Sequence, residues 1–201
     1  MFLSIGWILM SYLIGSVPFG LVMAKAVCGV DPRLEGSRNT GATNVSRLCG
    51  TRYGLVVLAL DLLKGWAPAA GAMAFSDNWF FLSLVGLAAI IGHISSPFLS
   101  GKGGKGVATT IGVFLALTPS ALIISVLCCV AAITISGYVS LGSLTLGAAL
   151  PLFTLLTGKI GFLPVTLLVA VLIYWKHREN IRRLATGQEN PWRKKNSDKT
   201  L

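Results

Sequence analysis

The chain has 201 residues, of which 54% are hydrophobic and only 12% charged, yet 17 Lys and Arg against 7 Asp and Glu give it a formal net charge of +10. A charged fraction near half that of an average soluble domain cannot cover a water-facing surface, which excludes an ordinary soluble fold. Apolar stretches of spanning length recur, so the sequence reads as one domain, 1-201, an all-α polytopic integral membrane helical bundle in which helices satisfy the backbone internally.

In chain order, the first apolar stretch runs from Phe2 through Ala24 with no basic residue before it and no small-residue cleavage pattern. It reads as a retained span and not as a signal peptide. A basic segment follows, with Lys25, Arg33, Arg38, Arg47 and Arg52. Residues 53–75 and 79–98 form two further apolar stretches separated by Ser76, Asp77 and Asn78, and they lead to a second basic segment holding Lys102 and Lys105. From Val107 to Trp175 the only charge is Lys159, and Lys176 to Lys199 holds eight more Lys and Arg.

Cytoplasmic loops collect Lys and Arg, so the three basic segments belong on one side. Even numbers of spans must then separate them. Two fit between the first and second segments, and four between the second and third, with turns at Thr118-Pro119, Ser136-Gly137 and Thr157-Gly158-Lys159. The expectation is about seven transmembrane helices, with the N-terminus outside and the C-terminus cytoplasmic. Residues 107–117 are awkward, because eleven residues make a helix of about 17 Å against a hydrocarbon core of about 30 Å. Either the Gly-rich segment before them dips into the membrane or this helix does not cross fully.

The positive charge has no nucleic-acid reading, because basic cytoplasmic loops are the default in membrane proteins and no interleaved surface aromatics accompany them. The tail from Gln188 to Leu201 suits contact with anionic lipid, or solubility alone. Cys28, Cys49, Cys128 and Cys129 have neither metal-ligand nor CxxC spacing. Burial is the expected role, no disulfide is implied, and a nucleophilic Cys49 beside Arg47 and Arg52 is the rarer alternative.

Three polar islands stand out: "EGSRNTGATNVSR" (35 to 47), "GHISSPFLSGKGGKGVATT" (92 to 110) and "KHRENIRRLATGQE" (176 to 189). The deduced topology puts them on one face, where they can converge on a single site. Glycines let backbone N–H groups approach an anion, hydroxyls and Asn donate further hydrogen bonds, and Lys or Arg supply charge, a combination that suits phosphate. "GKGGKG" (101 to 106) precedes an apolar helix, so its amides could form an anion nest. Its formal GxGxxG follows no strand, and it lacks the P-loop spacing. His93 and His177 are the only histidines and are open to a structural role or to a role as donor or base. Asp61 and Lys64, spaced i,i+3, suit an ion pair on one helix face, either functional or orienting Arg47 or Lys105. No Ser-His-Asp arrangement, nucleophile elbow or zinc-site spacing is present, and no cofactor or metal is expected.

With "GSVPFG" (15 to 20) and "LDLLKG" (60 to 65), these islands form five ordered motifs. The set resembles the bacterial membrane acyl-phosphate:glycerol-3-phosphate acyltransferases over nearly the whole chain. The resemblance implies a multi-pass protein of the bacterial cell (inner) membrane with a cytoplasm-facing site, which transfers a fatty acyl group to position 1 of glycerol-3-phosphate. The implied partners are glycerol-3-phosphate, acyl phosphate, membrane lipid and an upstream acyl-phosphate-forming enzyme. An acyl phosphate is already activated, so neither a covalent intermediate nor a strong general acid is required, and a coenzyme A donor would need a nucleotide site for which there is no domain.

On this reading Ser37, Arg47, Lys105 and Asn180 grip phosphate, with Asn39, Thr43, Asn44, Lys102 and the amides of Gly103 and Gly104 completing the shell. His93 and His177 position substrate, or one of them is the base; alternatively a substrate phosphate takes the hydroxyl proton. A membrane transporter for a phosphorylated metabolite is the alternative. Such proteins place their binding groups near the bilayer midplane, often in repeated halves, whereas here the polar groups gather toward one face and no repeat is visible.

Overall fold

The structure, a computed structural model, describes residues 2–192; the last basic residues of the tail, 193–201, lie outside them, and with them most of the expected lipid contact. Every regular element among the described residues is helical. α1 (Phe2–Ser16) and α2 (Phe19–Cys28) are joined end to end through Val17 and Pro18. After a long loop come the short α3 (Ala42–Cys49), α4 (Thr51–Met73) and α5 (Trp79–Ile94). A 3₁₀ turn (Pro97–Leu99) and the Gly-rich loop lead to α6 (Val107–Leu117), followed by α7 (Pro119–Ser136), α8 (Val139–Leu156), a second 3₁₀ turn (Ile160–Phe162), α9 (Leu163–Lys176) and α10 (Arg178–Ala185).

Local sequence explains the boundaries. Asn78 caps α5 by accepting from Phe80 N and Phe81 N, Pro119 occupies the first turn of α7, where its missing N–H costs nothing, and Gly137 ends α7 at φ +78°, a conformation glycine adopts freely. Pro18 has no N–H to continue α1. The first apolar stretch is therefore a broken helix, and its exposed carbonyls are taken up by side chains: Lys64 Nζ donates to Val17 O (2.8 Å) and Ser96 Oγ to Ser16 O (2.7 Å).

Five segments are long and apolar enough to cross a membrane: Leu3–Cys28, Thr51–Met73, Trp79–Leu99, Pro119–Ser136 and Val139–Leu156. Ile160–Lys176 with Arg178–Ala185, bent by 59° at His177, makes a sixth if the pair is one span. The seventh expected helix, α6, has the predicted boundaries and only 11 residues. It sits inside the bundle, with Thr109, Thr110, Gly112, Val113 and Phe114 buried, packed chiefly on α4 and also on α5. Close approach depends on small residues: a Cβ at Gly65 would overlap the Thr109 carbonyl, and one at Gly112 the Leu62 carbonyl.

The main core joins Ala69, Val85, Ile90, Phe114, Leu146 and Val169 from α4, α5, α6, α8 and α9. A smaller cluster, Ala24, Val45 and Val57, seats α3 on α2 and α4. Leu127, Ile135 and Val171 face outward, 63%, 88% and 64% exposed, as lipid-facing side chains do when the bilayer is the solvent. One cysteine expectation is corrected. Cys28 at the end of α2 is disulfide-bonded to Cys49 at the end of α3, whereas Cys128 and Cys129 are free on α7. The 21-residue separation has no local signature; the pairing arises because the loop folds back and seats α3 beside α2.

Candidate anion-binding site

The first polar island is organised around Asn44, which is 1% exposed. Its Nδ2 donates to Pro32 O (2.9 Å), Glu35 O (3.1 Å) and Asn39 O (2.9 Å), while its Oδ1 accepts from Ser37 N (2.9 Å). Asn39 Oδ1 in turn accepts from Gly41 N (2.8 Å) at the start of α3. Both were expected on a ligand; the structure instead spends the whole Asn44 amide and the Asn39 oxygen on shaping the loop. The loop is tight enough that Arg38 lies at φ +54°, a region that costs a non-glycine residue about 1 kcal/mol. Ser37 and Thr43 are half-buried on this scaffold, and Arg47 lies in the last turn of α3.

The second island folds back on the end of α5. Gly101 N donates to Ser96 O (2.9 Å), Lys102 N to Leu99 O (3.0 Å), Gly103 N to Ile94 O (3.1 Å) and Gly104 N to His93 O (3.1 Å). The amides of Gly103 and Gly104 are thus consumed internally, which corrects the expectation that they complete a phosphate shell. Their need for glycine is steric: a Cβ at Gly103 would overlap the His93 carbonyl, and one at Gly104 the His93 ring. The donors next in line lie further on. No side chain caps α6, whose cap Gly106 sits at φ +86°, so its first-turn N–H groups, which have no intrahelical partner, adjoin Lys105. Lys102 is exposed at the tip of the loop.

The third island meets the other two through Lys105. Lys105 Nζ donates to Asn180 Oδ1 (2.5 Å), and Asn180, 5% exposed, donates from Nδ2 to Glu189 Oε1 (2.6 Å). Glu189 also accepts from Arg183 Nε (2.8 Å) and Ser140 Oγ (2.9 Å). Arg47 reaches the same end of the molecule, its Nη2 donating to Asn190 O (3.2 Å). Burial pushes the Lys105 ammonium down to about 8; Glu189 opposes this, and Arg183, Arg47 and Lys176 reinforce it. Those influences bring cations of all three islands into one electrostatic neighbourhood. His177, at the α9–α10 bend and 2% exposed, has its Nδ1 against Ile173 O (2.8 Å). A carbonyl only accepts, so Nδ1 carries the proton there and the Nε2 lone pair is left for other partners.

His93 is placed apart from this cluster. It lies on α5 with Nδ1 3.7 Å from Asp61 Oδ1, and Asp61 pairs with Lys64 at 2.7 Å, both side chains 3% exposed. These three groups share a narrow cleft with Pro18, Phe19, Thr40 and Gly104. Gly104 precedes Lys105, so the cleft and the cationic cluster adjoin along the backbone. The Asp61–Lys64 pair holds the α1–α2 break and faces His93, and no hydrogen bond joins it to Arg47 or Lys105 among those found in the described residues. Among the described residues no three of His, Cys, Asp or Glu gather where a metal ion could be held.

Sequence reasoning passed over Glu189, Arg183, Ser140 and Thr40. Glu189 shares its basic stretch with Glu179 and Asp198, so position in the sequence does not single it out. Ser140 and Thr40 carry no mark either.

Comparisons with known proteins agree with this architecture. A family model described as glycerol-3-phosphate acyltransferase matches residues 5–187. A protein of that name from Maridesulfovibrio salexigens is 55% identical over 193 residues, covering 96% of this chain and 99% of the relative. The crystal structure of PlsY (YgiH), an integral membrane glycerol 3-phosphate acyltransferase, in its glycerol 3-phosphate form superposes with a TM-score of 0.90 at 41% identity, covering 94% of both chains. The lysophosphatidic acid form of the same protein gives 0.87 at 39% identity and the same coverage. With an all-helical multi-pass fold and nearly its full length matched, this chain belongs to the glycerol-3-phosphate acyltransferase family.

Proposed function

We propose that this protein transfers a fatty acyl group from an acyl phosphate to the 1-hydroxyl of glycerol-3-phosphate, giving lysophosphatidic acid and inorganic phosphate. The observation that carries the reading is the meeting of Arg47, Lys105 and Asn180, from three separate polar islands, at one end of an apolar bundle. Such a cluster suits a doubly charged phosphate: Arg47 and Lys105 supply charge, Asn180 and Ser37 supply directed hydrogen bonds, and the α6 N-terminus adds dipole and N–H donors. Solved relatives captured with glycerol 3-phosphate and with lysophosphatidic acid support the same substrate and product.

In the reaction the 1-hydroxyl oxygen attacks the acyl carbonyl carbon, the bond from that carbon to the phosphate oxygen breaks, and phosphate departs with the electron pair. The hydroxyl proton passes to His177 Nε2 or to a phosphate oxygen, whose second pKa of about 6 suits it. Arg47, Lys105 and the α6 N–H groups hold the phosphate of glycerol-3-phosphate so that its 1-hydroxyl is aligned on the acyl carbonyl, and such positioning supplies a large share of the rate enhancement. No acyl-enzyme is needed, because phosphate is already a good leaving group. His93, held against Gly104, keeps the loop that presents Lys105 in place. The acyl chain lies along the apolar helix surfaces toward lipid.

The same reading extends to topology. Counting α6 as a crossing gives seven, with the amino terminus outside, the carboxyl terminus inside and the site facing the cytoplasm of a bacterial inner membrane, as the basic residues require. The donor is tested by supplying the purified protein in lipid with radiolabelled glycerol-3-phosphate and either palmitoyl phosphate or palmitoyl coenzyme A. Product from the acyl phosphate alone is the expected result. Product from the thioester, or from neither donor with folded protein, overturns it, the latter in favour of transport of a phosphorylated metabolite.

A further inference from the structure

We propose that Glu189 is the positioning residue of the anion site, fixing the Asn180 amide and the Arg183 guanidinium so that Asn180 presents its oxygen to Lys105. This deepens the function just proposed and rests on it for the identity of the anion. The geometry is specific. A carboxylate at neutral pH only accepts and an ammonium only donates, so an amide between them has one satisfied orientation: Nδ2 to Glu189, Oδ1 to Lys105. Without the carboxylate both amide orientations are open, and one of them turns Nδ2 toward the Lys105 ammonium.

Glu189 is itself held at three points. Asn180 Nδ2 and Ser140 Oγ donate to Oε1, and Arg183 Nε donates to Oε2. Ser140 is on α8 and the other two on α10, so the carboxylate ties the surface helix to the bundle. Its side chain is only 6% exposed. Burial works against its ionisation, but the bonds from Asn180, Arg183 and Ser140 outweigh it and hold the carboxyl below its ordinary range. The charges acting on Lys105 are Glu189, Arg183 from α10, Arg47 from α3 and Lys176 from α9, and Lys105 and Glu189 both act on His177. In that set Glu189 is the one anion, set against Arg183, Arg47, Lys176 and Lys105 itself. It therefore keeps Lys105 protonated at the pH of the cytoplasm in addition to setting the amide.

The test is titration calorimetry of glycerol-3-phosphate binding to the purified full chain between pH 7 and 9.5, where the ligand is a dianion. Wild-type affinity is expected to fall as pH rises through about 8, the Lys105 value. Glu189→Gln keeps the shape and removes the charge; it is expected to bind roughly tenfold more weakly, with the fall starting about one pH unit lower. Glu189→Asp is expected to return the fall toward its wild-type position. Should Glu189→Gln not fold, Ser140→Ala keeps the carboxylate charged but unhooks it from α8, and a roughly threefold loss of affinity with the pH position unchanged is expected. Unchanged affinity in the variant that folds, or a loss in Glu189→Gln with no shift in pH, overturns the proposal. A failure of the acyl-transfer reading is seen separately, as absence of turnover while phosphate binding keeps its dependence on Glu189.

Discussion

Lys105 carries the most direct consequence at the scale of single residues. Its ammonium sits near pH 8 because burial and the cations Arg183, Arg47 and Lys176 disfavour its charge more than Glu189 restores it. Only the protonated form attracts phosphate, so kcat/KM for glycerol-3-phosphate is predicted to be flat from about pH 7, where the ligand is a dianion, up to that value and to fall about tenfold per pH unit above it. Lys105→Arg, which stays charged throughout, removes this alkaline limb, and an unchanged limb in that variant assigns it to another group.

Asn44 illustrates a different kind of residue. It satisfies four hydrogen bonds with one buried amide, so Asn44→Ala should lower stability by about 2 kcal/mol or more, visible as a lower Tm, and raise KM through the distorted Ser37 loop. From sequence, Asn44 and Ser37 look alike as phosphate donors. Only the fold reveals that one of them is spent on the backbone, and the same holds for the amides of Gly103 and Gly104 against those of α6.

Among elements, the broken first helix matters most. By sequence, Phe2 through Ala24 reads as one unbroken span, whereas the helix breaks at Pro18, and the break is completed by a partner 47 residues away, Lys64, whose ammonium takes up the freed Val17 carbonyl while pairing with Asp61. The i,i+3 spacing made that pair readable; its tie to the break and to His93 was not, because nothing local links α4 to α1 or α5. Lys64→Met leaves Asp61 buried without its cation and is predicted to destabilise the protein by about 3–5 kcal/mol. Asp61→Asn in the same chain should recover part of that loss. Thermal unfolding in detergent checks both, and equal stability of the single and double variants would show that the pair does not act as a unit. α6 was readable in its boundaries and ambiguous in its depth, since an eleven-residue helix is too short by length alone; its burial against α4 and α5 explains how it stays apolar without needing full contact with lipid.

For the whole molecule, composition sufficed to specify a helical membrane protein, and clustering of charge sufficed to specify a single polar end. The long-range ties that finish the site, Glu189 to Ser140 and Arg47 to Asn190, have no periodicity and no motif, so sequence could not reveal them. Topology is checked by cysteine labelling. Thr118, the turn position, is buried, but Ser120 beside it is exposed. With the native cysteines replaced, Ser120→Cys should label from the outer face and Gln188→Cys from the inner one; labelling of both from one side contradicts seven crossings.

The central claim is that three polar islands grip one phosphate, and a double-mutant cycle on kcat/KM for glycerol-3-phosphate tests it most directly. Arg47→Ala and Lys105→Ala should each reduce kcat/KM strongly, and because both charges act on one ligand, the double variant should depart from the sum of the single losses by about 1 kcal/mol or more. Additive losses would place Arg47 and Lys105 on separate ligands and contradict the single site.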